Sequence, residues 1–455
     1  MIDVYTHKVA GLGNRSYLAT DGTAAVVIDP PRDVDRTIAL AGRYGVEIRL
    51  VLDTHVHNDY VSGGLELART TGARYALAAG ESVAFEASRV GVSEGDVIHA
   101  GSMVVTAVHT PGHTDHHYAY VLSDAETGEV VALFSGGSWL PGTAGRTDLV
   151  GAENTDRLAR AQWSSLRRLA ALVPDDVRLF PTHGFGSFCS PQAFISVADP
   201  TVGSERARHP ALIQTEDVFV DAFTRGFGPY PRYYTRMAPI NRRGADPIDL
   251  RPAAEAAGEE LTSCIARGDW VVDLRSRNQF ATAHIDGSIN VEAGDAFATY
   301  LGWLLPHGTP IALVGESPEE IAAAQRALAR IGIDRPIAQA TGDFATWAQD
   351  LPARNYRVAS FADLTASRAT GDAAVVLDVR GDEEWNAGHI PGAYHCPIGE
   401  LHQRIEEIAT WSNGRTVWVY CAAGFRASIA ASILDRHRIP VVLVNDAWHE
   451  ATLQS

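Results

Sequence analysis

The sequence predicts a mixed α/β protein of more than one domain, and three observations support this fold class. The chain has 455 residues, which exceeds the usual size of a single domain. Short apolar runs typical of buried strands alternate with segments of helical spacing, as where AAVVIDP precedes a helix expected over Val34–Tyr44. From about residue 258 the sequence repeats itself at an offset of 105 residues, which indicates two copies of a small α/β domain.

In the amino-terminal part, strand-like runs carry polar motifs at their ends. The runs are AAVVIDP, EIRLVLDTH, RYALAAG, MVVTAVHTPGH, YAYVLSD and VVALFSG. Helices are expected over 154–172 and 215–225. Between about residues 230 and 258 the chain becomes rich in Pro, Arg and Tyr without a clean period, which is typical of a domain tail that leads into a linker. The first domain is therefore expected to cover residues 1–245.

The repeat predicts the next two domains, over 258–352 and 356–455. VVDLRSRNQFATAHIDGSINV, from Val271, is similar to VVLDVRGDEEWNAGHIPGAYHCP, from Val375. Each copy continues into a second strand, PIALVG or TVWVYC, and then into an alanine-rich helix. A unit of about 100 residues is too long for a solenoid repeat, so each copy is expected to form its own domain.

Composition and charge restrict the classes of function. The chain has 38 Lys+Arg against 55 Asp+Glu and a net charge of -17, which argues against non-specific binding to nucleic acid or to an anionic membrane. We see no signal peptide, and no run approaches the roughly 20 apolar residues that span a bilayer. Four cysteines do not make a disulfide framework, so a cytoplasmic location is expected. The sequence leaves the oligomeric state open, a homo-oligomer included.

The second copy places a cysteine between a strand and a helix, in the order VWVY, CAAGFRAS, IAASILDRHR. A short loop that enters a helix directs backbone N–H groups and the positive helix end toward its centre, so Cys421 is expected to react as a nucleophile. Gly424 allows a positive φ or a close backbone approach, and Arg426 can supply charge and donors to an anion. The alternative is a buried structural cysteine.

Histidines follow three of the predicted strands. LDTHVHNDYVSGG carries His55, His57 and Asp59, TPGHTDHH carries His113, and FPTHGFGSF carries His183. Imidazoles from separate loops at strand ends form preformed metal sites. The pattern therefore predicts a metal site in the first domain.

The motifs DVRGDEEWNAGHIPGAYHCP and VYCAAGFRAS resemble those of a rhodanese, a sulfurtransferase domain with a central parallel sheet. The resemblance implies that Cys421 accepts a sulfane sulfur as a persulfide and passes it to a thiol. Loop amides and Arg426 would surround that persulfide. The first copy has Gly315 and Glu316 where the nucleophile should stand, so 258–352 is expected to be a rhodanese-like domain without sulfurtransferase activity.

The motifs THVHND, TPGHT, FSGGS, GRTDL and PTH resemble the metallo-β-lactamase fold, an αββα sandwich. GRTDL and the downstream rhodanese are most similar to persulfide dioxygenases. The resemblance implies one metal ion, Fe(II) with Zn as the alternative, held by His55 and His113 with His57 in the same pocket. It also implies that Arg146 binds the anionic end of a glutathione-type persulfide.

Two positions depart from that family pattern. Tyr60 stands where a histidine is usual, and Gly137 stands where an aspartate ligand follows Phe-Ser-Gly. These losses argue against a dinuclear zinc hydrolase. For one metal, His57 is the first substitute ligand, followed by Asp59, His116 and His183. Restoring the carboxylate with Gly137→Asp is expected to raise iron occupancy if the rest of the pocket is intact.

Three functions remain open from the sequence. The first is a sulfur-metabolism enzyme that handles a low-molecular-weight persulfide at a metal and moves sulfane sulfur, from persulfide or thiosulfate, through Cys421. The second is a sulfur-relay protein whose first domain binds persulfide without oxidising it. The third is a zinc-dependent thioester hydrolase.

Overall fold

The computed structural model describes residues 1–9, 11–190, 199–369 and 375–451. The chain divides into two compact units. The first comprises Met1–Ile248 with Leu328–Ile333, and the second comprises Asp249–Ala327 with Asp334–Ser455. No helix in these described ranges combines the length and apolar character that crossing a membrane requires.

The first unit contains two main sheets and a set of flanking helices. Its strands are β1 (Asp3–Val9), β2 (Asn14–Thr20), β3 (Ala24–Ile28), β4 (Glu47–Leu52), β5 (Arg74–Ala78), β6 (Val90–Val92), β7 (Val97–Ala100), β8 (Met103–His109), β9 (Tyr118–Asp124), β10 (Val130–Gly136), β11 (Trp139–Leu140), β12 (Thr143–Ala144) and β13 (Arg178–Pro181). Its helices are α1 (Val34–Tyr44), α2 (Gly64–Thr71), α3 (Thr155–Leu172), α4 (Val202–Arg206), α5 (Pro210–Ile213), α6 (Glu216–Arg225) and α7 (Tyr234–Arg243).

These elements form an αββα sandwich, as expected. One sheet has the order β1-β2-β3-β4-β5-β6 and the other β13-β10-β9-β8-β7. Their inner faces share one apolar core, which includes Val26 and Leu50 from the first sheet and Val105 and Phe134 from the second. Helices α1 and α2 cover the outer face of the first sheet, and α3, α5 and α6 cover that of the second. Strand β3 is buried at all five residues, AAVVI, which is typical of an interior strand covered on both faces.

The chain from Asp249 onward contains the two repeated domains. The strands are β14 (Trp270–Asp273), β15 (His284–Ile285), β16 (Ile289–Asn290), β17 (Ile311–Gly315), β18 (Ala338–Thr341), β19 (Ala353–Arg354), β20 (Arg357–Ala359), β21 (Val375–Asp378), β22 (Tyr394–His395), β23 (Val417–Tyr420) and β24 (Val441–Val444). The helices are α8 (Glu259–Ala266), α9 (Arg277–Thr282), α10 (Phe297–Leu304), α11 (Pro318–Arg330), α12 (Phe344–Ala348), α13 (Phe361–Ala369), α14 (Asp382–Ala387), α15 (Ile405–Ser412) and α16 (Phe425–Arg436).

Each repeat builds its own parallel sheet, as expected. The orders are β16-β14-β17-β18 in the first copy and β20-β24-β23-β21-β22 in the second, and every pairing within these two sheets is parallel. The matched Asp-x-Arg motifs form the same buried ion pairs, Arg275 with Asp273 and Arg380 with Asp378. Parallel strands that end at one edge place the β23–α16 loop at the carboxyl end of the sheet, where α/β folds build their sites.

The Pro-, Arg- and Tyr-rich stretch differs from its interpretation as an irregular tail. Helix α7 runs through it from Tyr234 to Arg243 and contains Pro239. Asn241 on this helix donates to the carbonyls of His57 and Tyr60 at 2.9 Å each. The helix therefore holds the loop that carries the first histidine motif.

Candidate metal centre and cysteine loop

Five histidines gather at the strand ends of the first unit, and all are fully buried. They are His55, His57, His113, His117 and His183. The ring centroid of His55 lies 4.2 Å from that of His57, 4.8 Å from that of His113 and 5.3 Å from that of His183. The structure thus brings together the three residues that the sequence predicts as metal ligands, and it adds His183 to them.

Hydrogen bonds on the outer side of two rings determine which nitrogen carries the proton. The Thr54 hydroxyl donates to Asp29, so it accepts from Nδ1 of His55 at 2.9 Å. Nδ1 of His113 donates to the carbonyl of Arg146 at 2.7 Å. Both rings therefore present an unprotonated Nε2 to the cluster, which is the arrangement of a ligating histidine.

His183 has the same orientation. Its Nδ1 lies 3.1 Å from Oδ1 of Asn14 and 3.1 Å from Oδ2 of Asp59, both acceptors. Its Nε2 then faces Nε2 of His55 at 3.4 Å, lone pair to lone pair. Nε2 of His113 is buried and has no hydrogen-bond partner among the residues that the structure describes. Unpaired, inward-facing lone pairs in a buried pocket are the donor arrangement that a cation satisfies.

His57 is held in the opposite orientation. Its Nε2 contacts the Tyr60 hydroxyl at 2.9 Å and Asp29 at 3.2 Å, while its Nδ1 is buried and finds no partner in the described ranges. Burial would lower the pKa of His57, but the Asp29 carboxylate outweighs it and raises that pKa. Tyr60, which replaces the usual histidine, thus fixes the His57 ring from behind.

Burial keeps two of the other rings neutral. It lowers the pKa of His113 to about 3, with further lowering from the neighbouring His183. Burial and the adjacent histidines also hold the pKa of His55 well below its ordinary value. Neutral imidazole is the form that binds metal, so neither ring has to lose a proton first.

Two sets of donor atoms in the described part of this pocket lie within 4.8 Å of one another. One set is His55, His57 and His183, and the other is His113, His183 and Cys189. A third such set, which shares His57, adds Asp29 and Asp53 behind the pocket. His183 belongs to both of the first two sets, although the sequence ranks it last among the substitutes. Cys189 was not predicted from the sequence as a residue of this pocket.

Two histidines of the second motif have other roles. Nε2 of His117 accepts the Gly137 N–H at 3.0 Å, so this ring holds the glycine loop. The ring of His116 packs beside Gly80. Neither side chain belongs to the metal-donor sets that the described residues form.

The His113 ring occupies the space that a side chain at Gly137 would need. A Cβ atom on Gly137 would lie 2.3 Å from Cδ2 of His113, which no real contact allows. An aspartate at 137 would therefore displace the His113 ring before it could offer a carboxylate. This clash is a steric argument against the expectation that Gly137→Asp raises iron occupancy.

Gly137→Ala is expected to lower metal affinity by about tenfold or more, because the added methyl group moves a ligand ring. Metal content after dialysis against a weak chelator measures the effect. Gly42→Ala is the matched control, since a Cβ at Gly42 meets no atom within 4 Å. Equal metal content in the two variants would show that His113 is not a ligand.

The Arg146 side chain links three segments of the chain beside this pocket. Its guanidinium donates twice to Asp148 at 2.7 Å and also to the carbonyls of Phe188 and Gly228. These bonds use four of its five N–H groups. Counting the described residues alone, one N–H of Arg146 remains for the predicted contact with the anionic end of a substrate.

In the second unit, Cys421 directly follows β23 and precedes α16. Gly424 caps that helix in the left-handed region, at a φ of 84°, as its sequence position indicates. A Cβ there would lie 2.0 Å from Oδ1 of Asn445. Arg426 forms a bidentate ion pair with Glu384 at 2.6 and 2.7 Å. The negative charge of Glu384 therefore neutralises the positive charge of Arg426, which the sequence predicts to interact with an anion.

Two carbonyls of the cysteine loop are held by outside donors. The Trp448 N–H donates to the Ala422 carbonyl at 2.8 Å. Nη1 of Arg277 donates to the Ala423 carbonyl at 2.9 Å. Because a trans peptide directs its C=O and N–H oppositely, the N–H groups of Ala423 and Gly424 point away from these donors. Two amides of the loop therefore face the side opposite to Trp448 and Arg277.

Arg277 comes from the first repeat, which itself lacks the cysteine. It also donates to Glu292 at 2.7 Å, and its side chain is 20% exposed. In the first repeat the corresponding loop has Gly315 and Glu316, and the Glu316 N–H bonds to Glu320. Arg277 was not predicted from the sequence, because no local motif marks a residue that binds a carbonyl of the other repeat.

Fold and site together define a metallo-β-lactamase-type αββα domain followed by two rhodanese-type domains. Residues 10–183 match the metallo-beta-lactamase superfamily, and residues 257–350 and 360–452 match the rhodanese-like domain. The hydroxyacylglutathione hydrolase-like protein of Mus musculus is 30% identical over 218 residues, which cover 43% of this chain and 74% of that protein. The chain belongs to the metallo-beta-lactamase superfamily and carries two rhodanese-like domains.

Other relatives differ in how much of the chain they cover. The hydroxyacylglutathione hydrolase of Rhodopseudomonas palustris strain BisB18 is 33% identical over 174 residues, or 38% of this chain and 63% of that protein. The chain thus spans about three fifths of the length of the first curated relatives that it matches. A metallo-beta-lactamase crystal structure from Staphylococcus aureus subsp. aureus COL covers 75% of this chain and 99% of its own, at 25% identity and a TM-score of 0.67. That likeness extends beyond the first unit.

Proposed function

We propose that the protein is a sulfur-metabolism enzyme whose last domain transfers sulfane sulfur through Cys421. The observation that carries this proposal is the loop of Cys421, where two carbonyls are bound from outside and two amides point the other way. An anionic persulfide on Cys421 would accept hydrogen bonds from those amides and from the start of α16.

The proposed reaction transfers one sulfane sulfur atom from a donor to an acceptor thiol in two steps. The Cys421 thiolate attacks the outer sulfur of thiosulfate or of a low-molecular-weight persulfide, and the donor's S–S bond breaks. Sulfite or a thiolate leaves with the bonding electron pair, and Cys421 becomes a persulfide. An acceptor thiolate then attacks the outer sulfur, forms a new persulfide and releases the Cys421 thiolate. No external oxidant or reductant is consumed.

For the first domain we propose a site that binds a glutathione-type persulfide beside one metal ion. The donors His55, His57, His113 and His183 would hold the ion, and Fe(II) would supply O₂ chemistry to the bound persulfide. This chain's residues orient the four imidazoles and exclude water from them, since all four are fully buried. The covalent link to the rhodanese domains raises the concentration of one domain's product at the next.

The names of the relatives favour a second candidate, a hydrolase that acts on glutathione thioesters. Tyr60 and Gly137 argue against it, because Tyr60 removes a donor for a second metal and Gly137 removes the bridging carboxylate. The alternative of a relay protein that binds persulfide without oxidising it requires a pocket that holds no redox-active metal.

One experiment separates these candidates. Protein purified without added metal is analysed for iron and zinc, and is then assayed for O₂ uptake with glutathione persulfide and for hydrolysis of an acyl-glutathione. Stoichiometric iron with persulfide-dependent O₂ uptake supports the dioxygenase proposal. Zinc with thioester hydrolysis, or neither activity, overturns it in favour of the hydrolase or the relay protein.

Arg277→Ala is expected to slow sulfur transfer by about tenfold, the equivalent of one charge-assisted hydrogen bond to the cysteine loop. Steady-state transfer from thiosulfate to a thiol measures the change. Arg267→Ala is the control, since that exposed arginine of the first repeat pairs with Asp269. Arg277→Lys keeps a donor and should recover part of the rate. Equal rates for all three variants would show that the first repeat does not act on Cys421.

A further inference from the structure

Cys189 lies against the histidine cluster on the segment that follows His183. It is fully buried, and its Sγ lies within 4.8 Å of the donor nitrogens of His113 and His183. Its carbonyl accepts the Arg146 N–H at 2.8 Å, and its own N–H donates to the Ser187 hydroxyl at 3.2 Å. Hydrogen bonds on both backbone groups hold the sulfur at this position.

The Arg146 backbone connects the sulfur to a ligand ring. Its carbonyl accepts from Nδ1 of His113 at 2.7 Å, and its N–H donates to the carbonyl of Cys189. The same residue therefore sets the orientation of the His113 ring and the position of Cys189. Within the described part of the chain, Nε2 of His113 is buried on that inner side without a hydrogen-bond partner.

The pocket also lacks an anionic ligand at the usual place. Gly137 has no side chain, and His113 fills the space that one would need. A divalent ion held by neutral imidazoles alone would keep its full charge in a buried site, which is costly. Oδ2 of Asp59 accepts from Asn14 at 2.8 Å and lies 3.1 Å from His183. Its Oδ1 is buried without a partner among the described residues, but Asp59 belongs to none of the donor sets that these residues form.

We propose that Cys189 is a metal ligand, acting with His113 and His183, and that its thiolate replaces the carboxylate that Gly137 lacks. The inference rests on the proposed metal-binding function of the first domain. On coordination the S–H bond breaks, the sulfur keeps the electron pair, and the proton passes to solvent. A thiolate beside imidazoles is a donor set suited to iron, zinc or cobalt.

The test uses Co(II), because a thiolate bound to this ion gives an intense near-ultraviolet charge-transfer band that imidazole and carboxylate ligands do not give. The wild-type protein loaded with Co(II) is expected to show the band. Cys189→Ser should lose it and should bind Co(II) at least about tenfold more weakly. Cys264→Ser is the matched control, since Cys264 is a buried cysteine in the second unit, and this variant should keep the band.

Cys189→Asp separates loss of a ligand from loss of the fold. It restores an anionic donor, so it should bind Co(II) more tightly than Cys189→Ser does and should show no band. An unchanged band in Cys189→Ser overturns the ligand assignment. Wild-type protein that binds Co(II) without the band also overturns the ligand assignment, but it is consistent with a metal site formed by other residues. Wild-type protein that binds no Co(II) overturns both the ligand assignment and the proposed metal site.

Discussion

Cys421→Ser is expected to reduce sulfur transfer from thiosulfate or glutathione persulfide by at least about 10³-fold, because a serine hydroxyl cannot carry a sulfane sulfur. Cys421 stands between β23, which ends at Tyr420, and α16, whose N-cap residue is Gly424. The rate of thiol-dependent sulfur transfer, followed at saturating donor, measures the loss.

Cys396→Ser supplies the control for this variant. Cys396 lies in the same domain and is equally buried, but burial raises the pKa of its thiol to about 12. It is therefore protonated at neutral pH and should be dispensable for transfer. Full activity in Cys421→Ser, or equal losses in the two variants, would remove the basis for assigning sulfur transfer to this loop.

His183→Ala is expected to lower metal affinity more than about 100-fold, since His183 belongs to both donor sets of the pocket. Burial alone would raise the pKa of the Asp59 carboxyl, but His183 holds this pKa far below its ordinary range. The substitution removes that effect of His183. Metal content after gel filtration, with competition against a coloured chelator, gives the affinity.

His116→Ala is the matched control for His183→Ala. His116 belongs to the same predicted cluster in the sequence, but its ring packs beside Gly80. Its replacement should leave metal content and persulfide-dependent O₂ uptake unchanged. If both variants bound metal like the wild type, the ion would have to lie elsewhere, and the proposed centre would be wrong.

Much of this architecture could be predicted from the sequence because its signals are local. The alternation of apolar runs and helical segments indicated the α/β layers. The 105-residue offset revealed two copies of one domain. The spacing of His55 and His57 and the strand–Cys421–helix order indicated the two candidate sites. Except for the repeat, which is recognised by comparing two distant stretches, the informative residues lie within a few positions of one another.

The missed residues act through contacts that have no local signal. Cys189 reaches the cluster through the loop after β13, and a single buried cysteine resembles many structural ones. Arg277 acts on a carbonyl 146 residues away in the sequence. The Asn241 side chain supports the histidine loop from a stretch whose composition suggested a linker.

The role of Gly137 shows a different limit. The sequence identifies a missing carboxylate, and the simplest inference is that restoring it restores a ligand. The structure shows that the His113 ring occupies that volume. Steric exclusion between residues of separate loops depends on how the loops pack, so no single-sequence pattern could have revealed it.

Peptide mass mapping after brief exposure to the donor tests the central claim most directly. Wild-type protein is incubated with thiosulfate, blocked with an alkylating agent and digested. The account predicts one additional sulfur atom on the peptide that contains Cys421, and its loss when an acceptor thiol is added before blocking. An unmodified Cys421 peptide, or extra sulfur confined to the peptides of Cys189, Cys264 or Cys396, would contradict it.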